Sequence, residues 1–191
     1  INRCLNLHLI NSMSNRRILF YELAGVVFII IFGSMLHFTF EWSGRQIIVG
    51  IFSAVNESVW EHLKLGFWPA ITFALIEFKY LRKLANNFLL AKAVGIYLIP
   101  AIIIVIFYSY TAILGESILA IDIITFIIAV IVGQAVSYKL LTGKILPPKL
   151  AVISLIALFL LGLAFLLFTF YPPVFPLFQD PVTGKYGIVS H

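Results

Sequence analysis

Residues 150–170 read LAVISLIALFLLGLAFLLFTF, an unbroken apolar run without one charged side chain. Roughly 20 such residues are what an α-helix needs to cross a bilayer. Hydrocarbon offers no water to satisfy backbone amides, so a run of this kind is stable there as a helix, which bonds its own backbone. Pro147 and Pro148 stand just ahead of it, at a first helical turn where a missing N–H is no loss.

Four further mostly apolar runs, each carrying at least one charged residue, precede it over residues 18–40, 57–81, 89–110 and 118–138. Together they predict an all-α fold, a polytopic transmembrane helix bundle of about five spans. The chain divides into an N-terminal extension (1–17), one transmembrane helical domain (18–171) and a proline- and aromatic-rich tail (172–191) that is a candidate lid. The composition agrees. Of 191 residues, 62% are hydrophobic and 11% charged, whereas a soluble domain carries about a quarter charged residues. A transmembrane β-barrel would need apolar and polar residues to alternate over about ten positions, and no such alternation is present. Pro69 and Pro100 fall inside the second and third spans, where each removes a backbone hydrogen bond and predicts a kink.

The basic residues mark topology. With the N-terminus in the cytoplasm, the inner segments hold Arg3, Arg16, Arg17, Lys79, Arg82, Lys83, Lys92, Lys139, Lys144 and Lys149, and the outer ones only Arg45, Lys64 and Lys185. That bias predicts a multi-pass protein of the cell membrane with its C-terminus outside. The charge of +5 is accounted for in this way, and nucleic acid is not an expected partner. The expected partners are the lipid bilayer, a small ligand or lipid, and a second copy of the chain. The single cysteine, Cys4, excludes an intrachain disulfide and a multi-cysteine metal site. Met13-Ser14-Asn15-Arg16-Arg17 reads as a start just ahead of the first span, and residues 1–12 are assigned no function. The first run is too long for a signal-peptide core and reads as an uncleaved span.

The acids are biased the other way. Glu41, Glu57, Glu61, Glu116, Asp122 and Asp180 fall toward the outer side, Glu22 and Glu77 toward the inner. Acids do not set topology, so this asymmetry points to a polar site at the outer face. The densest stretch is Asn56-Glu57-Ser58-Val59-Trp60-Glu61-His62-Leu63-Lys64. Ionisable groups near a bilayer are costly and mark functional sites. On a helix starting at Glu57, residues Glu57, Trp60, Glu61, Lys64 and Trp68 share one face, and His62 lies about 100° away from Glu61, toward a neighbouring helix. Ser58 and Glu61 also fit a capping box, so these acids could equally serve the helix start. His37 and Glu41, four residues apart at the outer end of the first span, share a face and sit at the same depth. Asp180 in the tail is a further candidate. Asp122, a turn inside the fourth span, needs a partner such as Lys64, Arg45 or a hydroxyl. Glu77 and Lys79 read as ordinary interfacial charges. Gly133 and Ser137 form a small-xxx-small pair suited to helix packing.

The candidate catalytic residues are therefore Glu57, Glu61, His37 and Glu41. The candidate binding residues are Asn56, His62, Lys64, Asp122 and Asp180. Any metal would be divalent, with His37, Glu41, Glu57 and Glu61 as ligands, a donor set suited to zinc or manganese. No zinc-protease helix, Walker loop, dinucleotide turn or nucleophile elbow is present, and no internal repeat suggests an inverted-repeat carrier.

Leu36-His37-Phe38, Glu41-Trp42-Ser43-Gly44, the Asn56–Lys64 stretch and Phe178-Gln179-Asp180-Pro181-Val182-Thr183-Gly184-Lys185-Tyr186-Gly187 carry a resemblance. With them, residues 18–188 resemble a family of small bacterial membrane proteins known only as a domain of unknown function. The resemblance implies membrane location and no particular chemistry. Three functions fit these residues: a structural or small-ligand-binding membrane protein, a metal- or carboxylate-dependent enzyme acting on a lipid-type substrate at the outer leaflet, and a small cation- or proton-coupled transporter.

Overall fold

The computed structural model describes residues 2–188, with side chains from residue 12 onward. Arg3 and Cys4 lie outside the residues whose side chains are described. The elements are α1 (Asn2–Trp42), α2 (Ile47–Gly50), α3 (Val59–Leu81), α4 (Phe88–Leu114), α5 (Leu119–Leu141), α6 (Lys149–Phe170) and a 3₁₀ turn at Pro176–Phe178. Among the described residues the only β pairing is one bridge, between Gln179 and Tyr186. Ser12–Trp42, α4, α5 and α6 are each long and apolar enough to cross a membrane.

α3 is the fifth long helix and the exceptional one. Its 23 residues span about 35 Å at 1.5 Å per residue, enough for a crossing. It carries Glu61, Lys64 and Glu77, and all three are buried. The bundle accommodates them by surrounding α3. α1 packs on α3, α3 on α4, α4 on α5 and α5 back on α1, which closes a four-helix ring, and α6 lies outside against α4 and α3. α6 accordingly exposes Val152, Ile153, Leu155, Ile156, Phe159 and Leu160, a hydrocarbon face suited to lipid.

Small residues let these helices approach closely. Pro69 has no N–H, so the carbonyl of Leu65, four residues earlier, loses its helical partner. Gly33 of α1 is the residue that faces this carbonyl. A Cβ at position 33 would lie 2.5 Å from Leu65 O and 2.9 Å from the Phe126 ring. Gly95 and Gly133 meet reciprocally between α4 and α5, where a Cβ on either would lie 2.8 or 2.7 Å from the other's carbonyl oxygen. Ser137 borders the same contact, 3.2 Å from a Cβ built on Gly95.

Hydrogen bonds tie the connections into two ends. At one, Asn86 N donates to Leu141 O at 2.8 Å. Asn87 Nδ2 donates to Leu140 O at 3.1 Å and Lys144 O at 2.8 Å, and Ser14 Oγ donates to Leu84 O at 3.2 Å. The α3–α4 and α5–α6 connections and the early part of α1 therefore meet there. At the other end, the α1–α3 connection folds back onto α1. Gly44 and Arg45 take left-handed conformations, φ 71° and 63°, and turn the chain after Trp42. Ser53 then inserts its hydroxyl into the α1 ladder, accepting from Phe40 N at 3.1 Å and donating to Leu36 O. This one contact sets the position of Gly50, Ile51 and Val55, whose backbone groups build the site below.

Candidate functional site

The helix expected from Glu57 begins two residues later. Ser58 is its N-cap, accepting from Glu61 N at 3.4 Å. Asn56 Oδ1 accepts from Ser58 N at 2.9 Å, which turns the chain before the helix can start. Glu57 therefore stands outside α3, and the single stripe expected from Glu57 to Trp68 divides. The capping box is also incomplete, because the Glu61 carboxylate reaches Val55 N, at 3.0 Å, instead of returning to Ser58 N.

The first part of the divided cluster is dry. Lys64 Nζ lies 2.5 Å from Glu61 Oε2 and donates to Gly50 O at 2.8 Å and Thr169 Oγ1 at 2.9 Å. All three ammonium hydrogens are thereby used, and both side chains are buried. The hydroxyl of Thr169 has one proton, and Phe165 O at 2.8 Å is a nearer acceptor for it than Glu61 Oε1 at 3.3 Å. Trp68 Nε1 donates to Ile51 O at 3.1 Å, one turn below. This network joins α3, α6 and the α1–α3 connection, and each charge in it has its partner.

The second part is open. His62 does point toward a neighbouring helix: its ring lies 5.0 Å from that of His37 on α1, and its Nε2 is 3.4 Å from Glu57 Oε2. One ligand atom from each of His37, Glu57 and His62 lies within 4.8 Å of the other two. His62 Nδ1 is 2.8 Å from Ser58 O. A carbonyl only accepts, so Nδ1 carries the hydrogen and Nε2 is the nitrogen free to ligate. His37 Nδ1 is buried without a hydrogen-bond partner. When Nε2 is protonated as well, the imidazolium of His62 hydrogen-bonds the Glu57 carboxyl and holds it below its ordinary range, and loss of that proton frees Nε2 to ligate.

The remaining expected members do not converge here. Glu41 is exposed and pairs with Arg45 Nε at 3.0 Å, because the turn after Trp42 brings Arg45 back to it. Asp180 closes its own turn, accepting from Val182 N and Thr183 Oγ1, both at 2.8 Å. Asp122 accepts from Tyr110 Oη at 2.5 Å, a hydroxyl partner supplied by α4. The tail docks nearby: Phe178 lies 4.9 Å from the Trp60 ring, and Asn56 Nδ2 donates to Gly187 O at 2.9 Å. Trp60 is thus covered by Phe165, Phe168 and Phe178 and does not flank an open face. Asn56 serves both helix start and tail, so Asn56→Ala should cost about 1–2 kcal/mol of stability. Limited proteolysis should then release the tail faster than in wild type.

A third cluster was not legible as a site. Glu22, Glu77 and Lys92 come from three helices and are all buried. Glu77 is therefore no ordinary interfacial charge, and Lys92 is not a free topology marker. The available signal was that Glu22 and Lys92 each lie inside an apolar run rather than beside one.

The fold and these polar centres define the class: an all-helical membrane protein whose ionisable side chains are gathered inside the bundle and at one of its mouths. The chain belongs to a family of unknown function (DUF6512), whose description matches residues 10–188. No curated protein and no solved structure matches it.

Proposed function

We propose that this is a membrane protein that binds a divalent transition-metal ion through His37, Glu57 and His62 at the mouth of the bundle. The observation that carries the reading is the pairing of an unpartnered, buried His37 Nδ1 with a His62–Glu57 pair already 3.4 Å apart. Ligands about 2 Å from a tetrahedral zinc ion lie roughly 3.3 Å from one another. The three ligand atoms lie within 4.8 Å of one another, so closing the site draws His37 and His62 together, with the 53% exposed Glu57 side chain free to follow. The hydrogen bond from His62 Nδ1 to Ser58 O is the outer contact that orients a metal-ligating imidazole. Two imidazoles and a carboxylate suit zinc and exclude the all-oxygen shell that calcium or magnesium takes.

The orientation that goes with this reading puts the site outside. Arg16, Arg17, Lys79, Arg82, Lys83, Lys139, Lys144 and Lys149 belong to the opposite end of the bundle or its connections, which supports a cytoplasmic location for that end. The Glu61–Lys64 network then acts as the scaffold that holds α3 against the connection carrying Glu57.

Protein purified without chelators should hold about one equivalent of metal per chain by elemental analysis. His37→Ala and His62→Ala should each weaken binding by at least about 10–100-fold, the loss seen for contacts one shell further out. Occupancy should fall on acidification, because protons compete for the imidazoles. Wild-type protein that retains no more zinc than the double histidine variant would sink the reading. Three protein ligands leave a fourth position for water or substrate. That open position favours, as a second reading, a metal-dependent reaction on a lipid-type substrate. Its test is turnover by zinc-loaded protein in lipid, lost in Glu57→Gln.

A further inference from the structure

The four helices of the ring each send one or more polar groups to a single buried point. α1 gives Glu22, α3 gives Glu77, α4 gives Lys92, and α5 gives Ser137 and Gln134. Lys92 Nζ lies 2.5 Å from Glu22 Oε1 and 2.5 Å from Glu77 Oε2. Ser137 Oγ donates to Glu22 Oε1 at 3.1 Å, and Gln134 Nε2 donates to the Glu22 backbone carbonyl at 3.5 Å. The second oxygen of each carboxylate, Glu22 Oε2 and Glu77 Oε1, is buried with no hydrogen-bond partner.

Charge counting separates this cluster from the Glu61–Lys64 network. There, one carboxylate meets one ammonium, and the lysine's donors are all used. Here two carboxylates share one ammonium, so the set is one positive charge short when both are ionised. An uncompensated charge away from water is strongly unfavourable, as for any buried unpaired ion. Among the described residues no other charged side chain pairs with the set: Arg16 and Arg17 of α1 and Lys139 of α5 are exposed. Lys79 of α3 and Arg82 just past its end are exposed and lie over the Tyr80 and Phe78 rings. Tyr21 on α1 stacks on Tyr80. Ser137 and Gln134 of α5 are neutral. α6 carries no charge beyond Lys149 at its start.

We propose that Glu22, Glu77 and Lys92 form an intramembrane proton-binding site that holds one exchangeable proton, on Glu22 Oε2 or Glu77 Oε1. A proton neutralises the set through a single O–H bond. A hard metal cation in its place would need about six or more oxygens and would sit beside an ammonium. The two unpartnered oxygens belong to different helices, so the proton is shared by the pair and cannot be assigned to either residue alone. Lys92 and Glu77 stand four residues from the ends of α4 and α3, about 6 Å of helix. Release breaks the O–H bond and passes the proton to water at that end of the bundle, leaving a net charge of −1 between α1 and α3. The site is independent of the metal centre, which lies at the opposite end.

Infrared difference spectroscopy on metal-stripped protein in lipid nanodiscs reads the proton directly. Wild type should show one protonated-carboxyl C=O band per chain near neutral pH that vanishes on alkaline titration and shifts in heavy water. Glu22→Gln and Glu77→Gln should each abolish that titration, because the remaining carboxylate then pairs one-to-one with Lys92 and stays ionised. Glu116→Gln, at an exposed position, should leave the band intact. No titrating band in wild type overturns the proposal without any variant. A band that persists in either Glu22→Gln or Glu77→Gln overturns it as well.

Discussion

Lys64→Met should destabilise the protein by about 3–5 kcal/mol, the cost of leaving a buried ion without its partner. The substitution conserves most of the side-chain volume, so the loss is electrostatic. It strips Glu61 of its counter-charge and leaves Gly50 O without its donor. It also leaves Thr169 without the ammonium that its hydroxyl oxygen accepts from. Thermal unfolding in detergent should show a large drop in midpoint, and the α1–α3 connection should become the first site of proteolysis. The companion variant decides the cause. Glu61→Leu combined with Lys64→Met removes both charges, and replacing a buried pair by apolar groups is often neutral. The double variant should recover most of the lost stability, so that the losses of the two single variants, each about 3–5 kcal/mol, are far from additive. If the double variant is as unstable as the single, the network matters through shape and not through charge.

The helices were legible because hydropathy and length alone decide them. The charge-free run at 150–170 became α6 (Lys149–Phe170), and three other runs became α3, α4 and α5 within four residues of their expected ends, but α1 starts at Asn2, well ahead of the expected start at Ile18, because the segment before the first span continues its helix. The site was legible only in part, and the reason is local. A helix starting at Glu57 puts Glu57 and Glu61 on one face, and one starting at Val59 releases Glu57 to meet His62. The side chain of Asn56, bonded to Ser58 N, makes that difference, and a shift of two residues takes Glu57 out of the stripe and to His62. His37 could be placed at the right depth from the sequence, but its meeting with His62 depends on how α1 and α3 are rotated. That rotation is set by Ser53 in the α1 ladder beside His37 and by Gly33 against Leu65, contacts between segments that no local sequence pattern shows.

The Glu22–Glu77–Lys92 cluster was hidden for a different reason. Its members lie far apart in sequence, and each has a sufficient explanation by itself at a membrane interface. Only the closed ring of α1, α3, α4 and α5 brings them within hydrogen-bonding distance. Two carboxylates around one lysine then carry information that three separate charges do not.

Gly33→Ala should be the most damaging of the conservative glycine substitutions in α1, costing about 1–3 kcal/mol or more by overpacking. The new methyl would lie 2.5 Å from the Leu65 carbonyl oxygen and 2.9 Å from Phe126. A flexible side chain could yield, but a backbone carbonyl on a buried helix cannot. α1 and α3 must separate, and their separation pulls His37 away from His62. A metal-binding defect should therefore accompany the stability loss, although Gly33 is no ligand. Gly162→Ala is the matched control on α6. Its Cβ would meet Phe67 at 3.4 Å, an ordinary van der Waals distance, and alanine favours a helix over glycine by about 1 kcal/mol. It should be neutral or stabilising, with metal binding unchanged. Midpoints of thermal unfolding for the two variants, measured in the same detergent, should move in opposite directions. Equal shifts would mean that helix propensity, and not the approach of α1 to the carbonyl freed by Pro69, governs these positions.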